Sequence, residues 1–181
     1  MLRPAVRLLE LEAPSLHPEL IEEVEAIFWQ TAARSYPPGA EREAFRERWL
    51  GRYFKGGSDV VLVALGGEAR VVGYLVGAVT NPIVEPRFAD IGYFAKDFGA
   101  LMPRFPAHLH INVDADFRSQ GIGAKLIEAF GARAKGSGAA GMHAVTGRGQ
   151  RNVGFYARCG FTERAAAAWN GREIVFLGRE L

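Results

Sequence analysis

Cysteine is almost missing from this chain: Cys159 is the only one in 181 residues. A single cysteine excludes an intrachain disulfide, which suits a reducing compartment. Histidine is scarce as well, and the four histidines and Cys159 lack metal-ligand spacing, so no metal is expected. Neither sign of charge dominates. Lys and Arg number 22 against 20 Asp and Glu, a formal net charge of +2, so no nucleic-acid footprint stands out. No apolar run approaches the roughly 18 residues of a membrane span. Met1–Arg7 carries no apolar core of a secretion signal. These absences predict a cytoplasmic chain without membrane or nucleic-acid partners. Internal repeats, low-complexity stretches and domain linkers are also lacking. At this length, with 49% hydrophobic residues, one domain over 1–181 with a sizeable core is expected.

In chain order, Val6 to Glu12 alternates as a first strand. Ser15 and Pro18 open a helix that runs from Glu19 to Ala33, with Leu20, Val24, Ile27 and Phe28 at helical spacing. A second helix is predicted from Glu41 to Phe54, with Phe45, Trp49 and Tyr53 on one stripe. Gly56-Gly57-Ser58 reads as a turn. Val60–Leu65 and Val71–Val79 read as antiparallel strands joined at the Gly66-Gly67 hairpin signal. Residues 81–107, with four prolines and five phenylalanines or tyrosines, form an unusually long connection. It is either a surface loop with a short helix or a wall over an acceptor site. A strand from His108 to Asp114, a helix after Gly121 and a strand from Gly141 to Thr146 come next. Asn152–Cys159 reads as a short helix capped by Gly160. Cys159 should be buried and inert. Phe161 opens the last hairpin, which returns at Asn170-Gly171, a type I′ signal. The fold class is mixed α/β, with a central, largely antiparallel sheet flanked by helices.

The stretch Arg118-Ser119-Gln120-Gly121-Ile122-Gly123 sits between a strand and a helix N-terminus. The first amides of a helix have no internal partner, and the dipole places positive potential there. Glycines at 121 and 123 allow a phosphate close to the backbone. No G-x-x-x-x-G-K-[ST] loop is present, and the antiparallel strands disfavour a doubly wound nucleotide binder. Nor does any serine or cysteine triad have supporting spacing.

Residues Ile111–Gly123 resemble the acetyl-CoA signature of the GNAT superfamily of N-acetyltransferases. Asn152-Val153-Gly154-Phe155-Tyr156-Ala157-Arg158-Cys159-Gly160-Phe161 is similar to that family's second signature. The resemblance covers roughly Val60 to Leu181. Ser119 stands where glycine is common in the family, and Ala115 where proline is. Phe105–Ile111 is more weakly similar to a run in bacterial acetyltransferase-like domains related to those of O-GlcNAcases, some of which do not catalyse transfer.

The resemblance implies a GNAT-like fold and an acetyl-CoA cosubstrate lying between the His108–Asp114 and Gly141–Thr146 strands. Pantetheine would pair with the main chain of Ile111, Asn112 and Val113. The pyrophosphate would rest on the amides of Arg118, Ser119, Gln120, Gly121, Ile122, Gly123 and Ala124. Asn152, Phe155 and Tyr156 would touch the other side of the carrier arm. An amine acceptor is mostly protonated at pH 7 and needs a base. His108, His110, Asn112 and Asp114 share one strand face if alternation holds, so His110 and Asp114 are candidates, and Glu85 could approach from the long connection. Asp114 could instead cap a loop amide. The Val113 N–H could hold the thioester oxygen, and Tyr156 could protonate the leaving thiolate. The expected activity is acetyl transfer to an amine: a small molecule, an aminosugar or a protein amine. The alternative is a non-catalytic acyl-CoA- or peptide-binding module on the same scaffold. The acceptor site would draw on Phe28–Phe54 and on 81–107, where Phe28, Trp29, Tyr36, Tyr93 and Phe94 either line a pocket or fill core. A homodimer is an option, since dimers are the commonest assembly.

Overall fold

A computed structural model describes residues 6–12, 14–57 and 59–181. Met1–Ala5, in the stretch read for a secretion signal, and Ser58 of the glycine turn lie outside the described residues. Seven strands form one sheet: β1 (Arg7–Glu10), β2 (Asp59–Leu65), β3 (Val71–Ala78), β4 (Ala107–Val113), β5 (Gly141–Gly147), β6 (Thr162–Trp169) and β7 (Arg172–Glu180), in the order β1-β2-β3-β4-β5-β7-β6. The helices are α1 (Pro18–Thr31), α2 (Ala40–Trp49), α3 (Tyr93–Lys96), α4 (Ile122–Gly136) and α5 (Arg151–Arg158). No described helix is long and apolar enough to cross a membrane. Contacts divide the chain into two compact units, Met1–Gly77 with His110–Phe130, and Ala78–Leu109 with Gly131–Leu181.

In the first unit β1 pairs antiparallel with β2, from Arg7 opposite Leu65 to Glu10 opposite Leu62. The connection from β2 to β3 is too short for anything but an antiparallel return. Its left-handed residues are Glu68 (φ 57°) and Ala69 (φ 58°), while Gly66 is extended, so the glycines lead into the turn without making it. Helix α1 starts with Pro18 in its first turn and buries Val24, Ile27 and Phe28 on one stripe. Helix α2 buries nothing. It is charged nearly all round, and Arg46 Nε holds it to α1 through Glu25 Oε1 at 2.8 Å. The single helix expected from Glu41 to Phe54 is in fact two pieces. At Leu50 the backbone leaves helical angles and tightens into a 3₁₀ turn, Gly51–Phe54, which delivers Leu50 and Tyr53 into the core with no exposed surface.

The second unit is built on β5, β6 and β7. Strand β7 pairs antiparallel with both neighbours, β5 from Gly141 opposite Glu180 to Gly147 opposite Ile174, and β6 across a bulge between Glu163 and Ala165. The hairpin turns at Asn170 (φ 49°) and Gly171 (φ 73°), the pair of left-handed residues that a type I′ turn requires. The long connection is not a surface loop. Short 3₁₀ turns and α3 bury Phe88, Ile91, Tyr93, Phe94, Phe98, Met102 and Phe105 to 4% exposure or less. These rings pack on Phe176, His108 and His143, so the segment is core of this unit. Tyr93 and Phe94, two of the rings offered for an acceptor pocket, fill that core.

Candidate active site

Strand β4 and the turn after it carry most of the expected site. Asp114 N–H donates to Val72 C=O at 3.0 Å, on the β3 side. Main-chain groups alternate sides along a strand, so Asn112 also points its N–H and C=O at β3, while Ile111 and Val113 present theirs to the opposite edge. The contact fits: a Cβ on Gly73 would lie 3.2 Å from Asn112 O. Of the three residues expected to pair with pantetheine, only Ile111 and Val113 therefore offer main chain outward, and Arg118 Nε already occupies Val113 O at 3.1 Å. The parallel ladder between β4 and β5 records two pairs, Ala107 with Met142 and His108 with His143. The edge at 111 and 113 lies beyond it.

Side-chain alternation along β4 holds. Asn112 Nδ2 donates to Tyr74 Oη at 2.8 Å, and burial raises the Tyr74 hydroxyl well above its usual pKa. His110 meets the edges of Trp49 at 5.2 Å and Tyr53 at 5.7 Å. Val113 lies on the other face, with Ile122 of α4, and both would touch a Cβ on Gly73. Burial, and then the Arg52 guanidinium, lower the His110 pKa to about 4. His110 is therefore neutral at pH 7, the form a base needs, but it is a weak base.

The His110 shift also makes a stability prediction. Its unfolded value is about 6.5, so between pH 6.5 and 4 the unfolded chain binds more protons and the folded state loses ground as pH falls. The loss should approach ~3 kcal/mol, at about 1.4 kcal/mol per pKa unit. Urea unfolding at pH 7, 5.5 and 4.5 should show that slope in the parent and a shallower one in His110→Phe. Equal slopes would remove His110 as the cause.

Asp114 is 3% exposed, and both its oxygens are engaged. Oδ1 accepts from Asp116 N–H at 3.0 Å, the loop cap expected as its alternative role, and Oδ2 accepts from Arg70 Nη2 at 2.9 Å. A 3₁₀ turn, Ala115–Phe117, follows, and Gln120 Nε2 donates to Asp116 O at 3.2 Å. Ser119 is left-handed at φ 60°, which explains why glycine suits that position; Gly121 is left-handed at φ 80°. The first helical hydrogen bond of α4 runs from Lys125 N–H to Gly121 C=O at 3.1 Å. Among the described residues the amides of Ile122, Gly123 and Ala124 are left without a main-chain acceptor. A Cβ on Gly121 would meet nothing within 4 Å, so the space over the turn is open. Open space, outward amides and positive potential fit a pyrophosphate.

The second unit holds Asn152, Phe155 and Tyr156 on α5. Asn152 Oδ1 accepts from Thr146 Oγ1 at the end of β5 at 2.9 Å. Tyr156 is 4% exposed and packs between Phe155 and Phe161. Burial, and secondarily Cys159, push its hydroxyl pKa above the usual value, so it keeps its proton throughout the working range. Cys159 is half-buried, contrary to expectation, because the left-handed Gly160 (φ 83°) ends the helix beside it. Glu85, the third base considered, is held by Arg87 at 2.6 Å and by Thr80. Among the described residues no group of three or more His, Cys, Asp and Glu could hold a metal ion.

Sequence reasoning missed Trp49, Arg52 and Tyr53 around His110, Tyr74 on Asn112, and Arg70 on Asp114. No local signal could have found the last two, because these partners stand 38 and 44 positions apart.

Comparison with known proteins places the fold and the family. No curated protein matches the chain. Among solved structures, a protein assigned to the GNAT family from Desulfovibrio desulfuricans superposes with a TM-score of 0.68 at 16% identity, covering 97% of this chain and 99% of its own. The PaiA N-acetyltransferase of Thermoplasma acidophilum, in complex with coenzyme A, gives 0.64 at 14% identity, covering 98% and 99%. A protein assigned as a streptothricin acetyltransferase from Bacillus anthracis, in complex with acetyl coenzyme A, gives 0.63 at 16%, covering 98% and 99%. At these identities the likeness establishes the fold. The family model for the acetyltransferase (GNAT) domain matches residues 58–163, more than half of the chain. The chain therefore belongs to the GNAT family of acetyltransferases.

Proposed function

We propose that this protein moves an acetyl group from acetyl-CoA directly to an amine. The reading rests on the row of outward amides at the head of α4, beneath the open left-handed turn at Gly121. Acetyl-CoA supplies the acyl group as an activated thioester. The main-chain N–H groups of Ile122, Gly123 and Ala124 hold the pyrophosphate, and Arg118, anchored on Val113 O, brings a guanidinium to its edge. The outward main chain of Ile111 and the Val113 N–H pair with the amides of the arm in the manner of an added strand.

The acceptor amine must lose a proton before or as it attacks. Of the two candidate bases, His110 lies toward the thioester end of the arm and Asp114 at the pyrophosphate end. His110 is neutral but weakly basic, which suits passing the proton on through water more than storing it. Asp114 is committed to Arg70 and a loop amide, which suits it to shaping the turn. When the carbon–sulfur bond breaks, the thiolate needs a hydrogen-bond donor. Tyr156, which keeps its proton, is the donor that the family resemblance offers for that role.

Two measurements test this. Acetyl-CoA at 100 times its dissociation constant should stabilise the protein by about 2.7 kcal/mol. An unmoved melting curve would overturn the assignment. Tyr156→Phe should lower kcat by about 100-fold while leaving acetyl-CoA affinity within a factor of two, as expected when one proton donor is lost. An unchanged kcat would strip Tyr156 of the role.

A further inference from the structure

Within the first unit a cavity of about 280 Å³ opens between α1 and the ends of β3 and β4. That is just below the range of ordinary small-molecule pockets and suits a ligand the size of one amino acid. Helix α1 contributes Glu23, Ala26, Ile27 and Gln30, one stripe at helical spacing, and Arg70 and Asp114 stand opposite. Ala26 and Ile27 make an apolar floor. The charges of Glu23 and Arg70 are already oriented. Glu23 Oε2 accepts from Val71 N–H at 2.6 Å, which leaves Oε1 for a ligand. Arg70 is held by one nitrogen on buried Asp114, and its other donors face out from a side chain that is 62% exposed. Gln30 adds a donor and an acceptor between them.

We infer that this cavity is an effector site for a free α-amino acid with a small apolar side chain. The ammonium group pairs with Glu23 and the carboxylate with Arg70 and Gln30, while the side chain rests on Ala26 and Ile27. Having both signs of charge in one small pocket selects a zwitterion: a lone anion meets Glu23, and a lone cation leaves Arg70 unused.

The site's position argues for regulation rather than transfer. On the proposed function, the carrier's pyrophosphate lies at Arg118–Ala124 and its arm runs back along β4 toward Ile111. Asp114 sits at the pyrophosphate end, away from the thioester. It also ties the cavity to the cradle, because its Oδ1 caps Asp116 N–H in the turn that leads to Gly121. A carboxylate drawing on Arg70 loosens the Arg70–Asp114 clip, so occupancy weakens acetyl-CoA binding. By reciprocity, acetyl-CoA weakens amino-acid binding by the same factor.

The test is calorimetric titration of the intact protein with L-valine, N-acetyl-L-valine, which lacks the ammonium, and isobutylamine, which lacks the carboxylate. L-Valine should bind at least tenfold tighter than either analogue. Glu23→Gln keeps the bond to Val71 N–H and removes the charge; Arg70→Gln removes the fork. Each should cost L-valine at least tenfold, the scale of one charge-assisted hydrogen bond. Glu23→Gln should leave acetyl-CoA affinity without valine unchanged within twofold. Saturating valine should raise the acetyl-CoA dissociation constant at least threefold in the parent and leave it unchanged in Glu23→Gln. Equal binding of all three probes, or binding that both variants keep, overturns the site. Acetylation of valine that Glu23→Gln abolishes overturns the effector role in favour of an acceptor site. Acetyl-CoA titrated alone tests the proposed function separately, so failure of one reading is distinct from failure of the other.

Discussion

Gly121→Asp should lower acetyl-CoA affinity by at least about 100-fold and leave the protein folded. Gly121 is left-handed at φ 80°, and aspartate is among the few L residues that tolerate that conformation, at a cost of about 1–2 kcal/mol. The position where its Cβ would begin is open within 4 Å, so nothing in the protein resists the side chain. The new carboxylate occupies the space over the α4 amides that the pyrophosphate needs, and it competes for the same N–H groups. Like charges at that distance cost several kcal/mol, and about 2.7 kcal/mol already makes 100-fold. Gly121→Ala carries the backbone cost without the charge and should fall between the parent and Gly121→Asp. Calorimetric titration of both variants, with a melting curve for each, is the check. Retained tight binding in Gly121→Asp would mean that the carrier does not use this turn.

The second large effect concerns stability. Gly141 opens β5, and its φ is ordinary, so conformational freedom is not its reason for being there. Space is. A Cβ would lie 2.6 Å from Arg104 O, 2.6 Å from the Phe105 ring and 2.9 Å from Arg179 O. Two of these atoms are backbone and cannot rotate away, so a methyl there forces whole segments of the second unit apart. Gly141→Ala should destabilise by about 3 kcal/mol, at the upper end of overpacking costs, and lower the melting temperature by about 10 °C for a chain of this size. Gly67→Ala is the control. A Cβ there meets nothing within 4 Å, and the change should stay within about 0.5 kcal/mol. If both variants melt alike, the tight approach at Gly141 is relieved by some movement the static structure lacks.

Much of the fold was legible because its signals are local. Asn170-Gly171 announces a turn, since both residues enter left-handed conformations at little cost, and both do so. Pro18 marks a helix start because its missing N–H is not needed there. The Arg118–Gly123 turn could be read as an anion site because strand, glycine and helix N-terminus are adjacent in sequence, and adjacency alone leaves the amides outward.

The misreadings share one cause, which is that distant partners override local pattern. The stripe of Phe45, Trp49 and Tyr53 suggests one helix, yet the chain tightens at Leu50 because Leu50 and Tyr53 gain more by entering the core than the helix gains by continuing. The prolines and aromatics of 81–107 look like a loop because their period is irregular. They are core because β4, β5 and β7 offer them Phe176 and two buried histidines. Asp114 was open to two roles, base or loop cap; the cap is there, and Arg70 engages its other oxygen from 44 positions away.

The sequence by itself determined the order of elements, the closing hairpin, the family signatures and the glycine turn at the head of α4, all of which depend on residues within a few positions of each other. Only the tertiary structure decided which main-chain groups of β4 face outward, why His110 is neutral and where the charges of Glu23 and Arg70 converge. Those are matters of burial and of partners far apart in the chain. A one-dimensional pattern carries propensity and period, whereas the free energy of a buried charge or an unpaired amide is set by whatever the folded chain brings next to it.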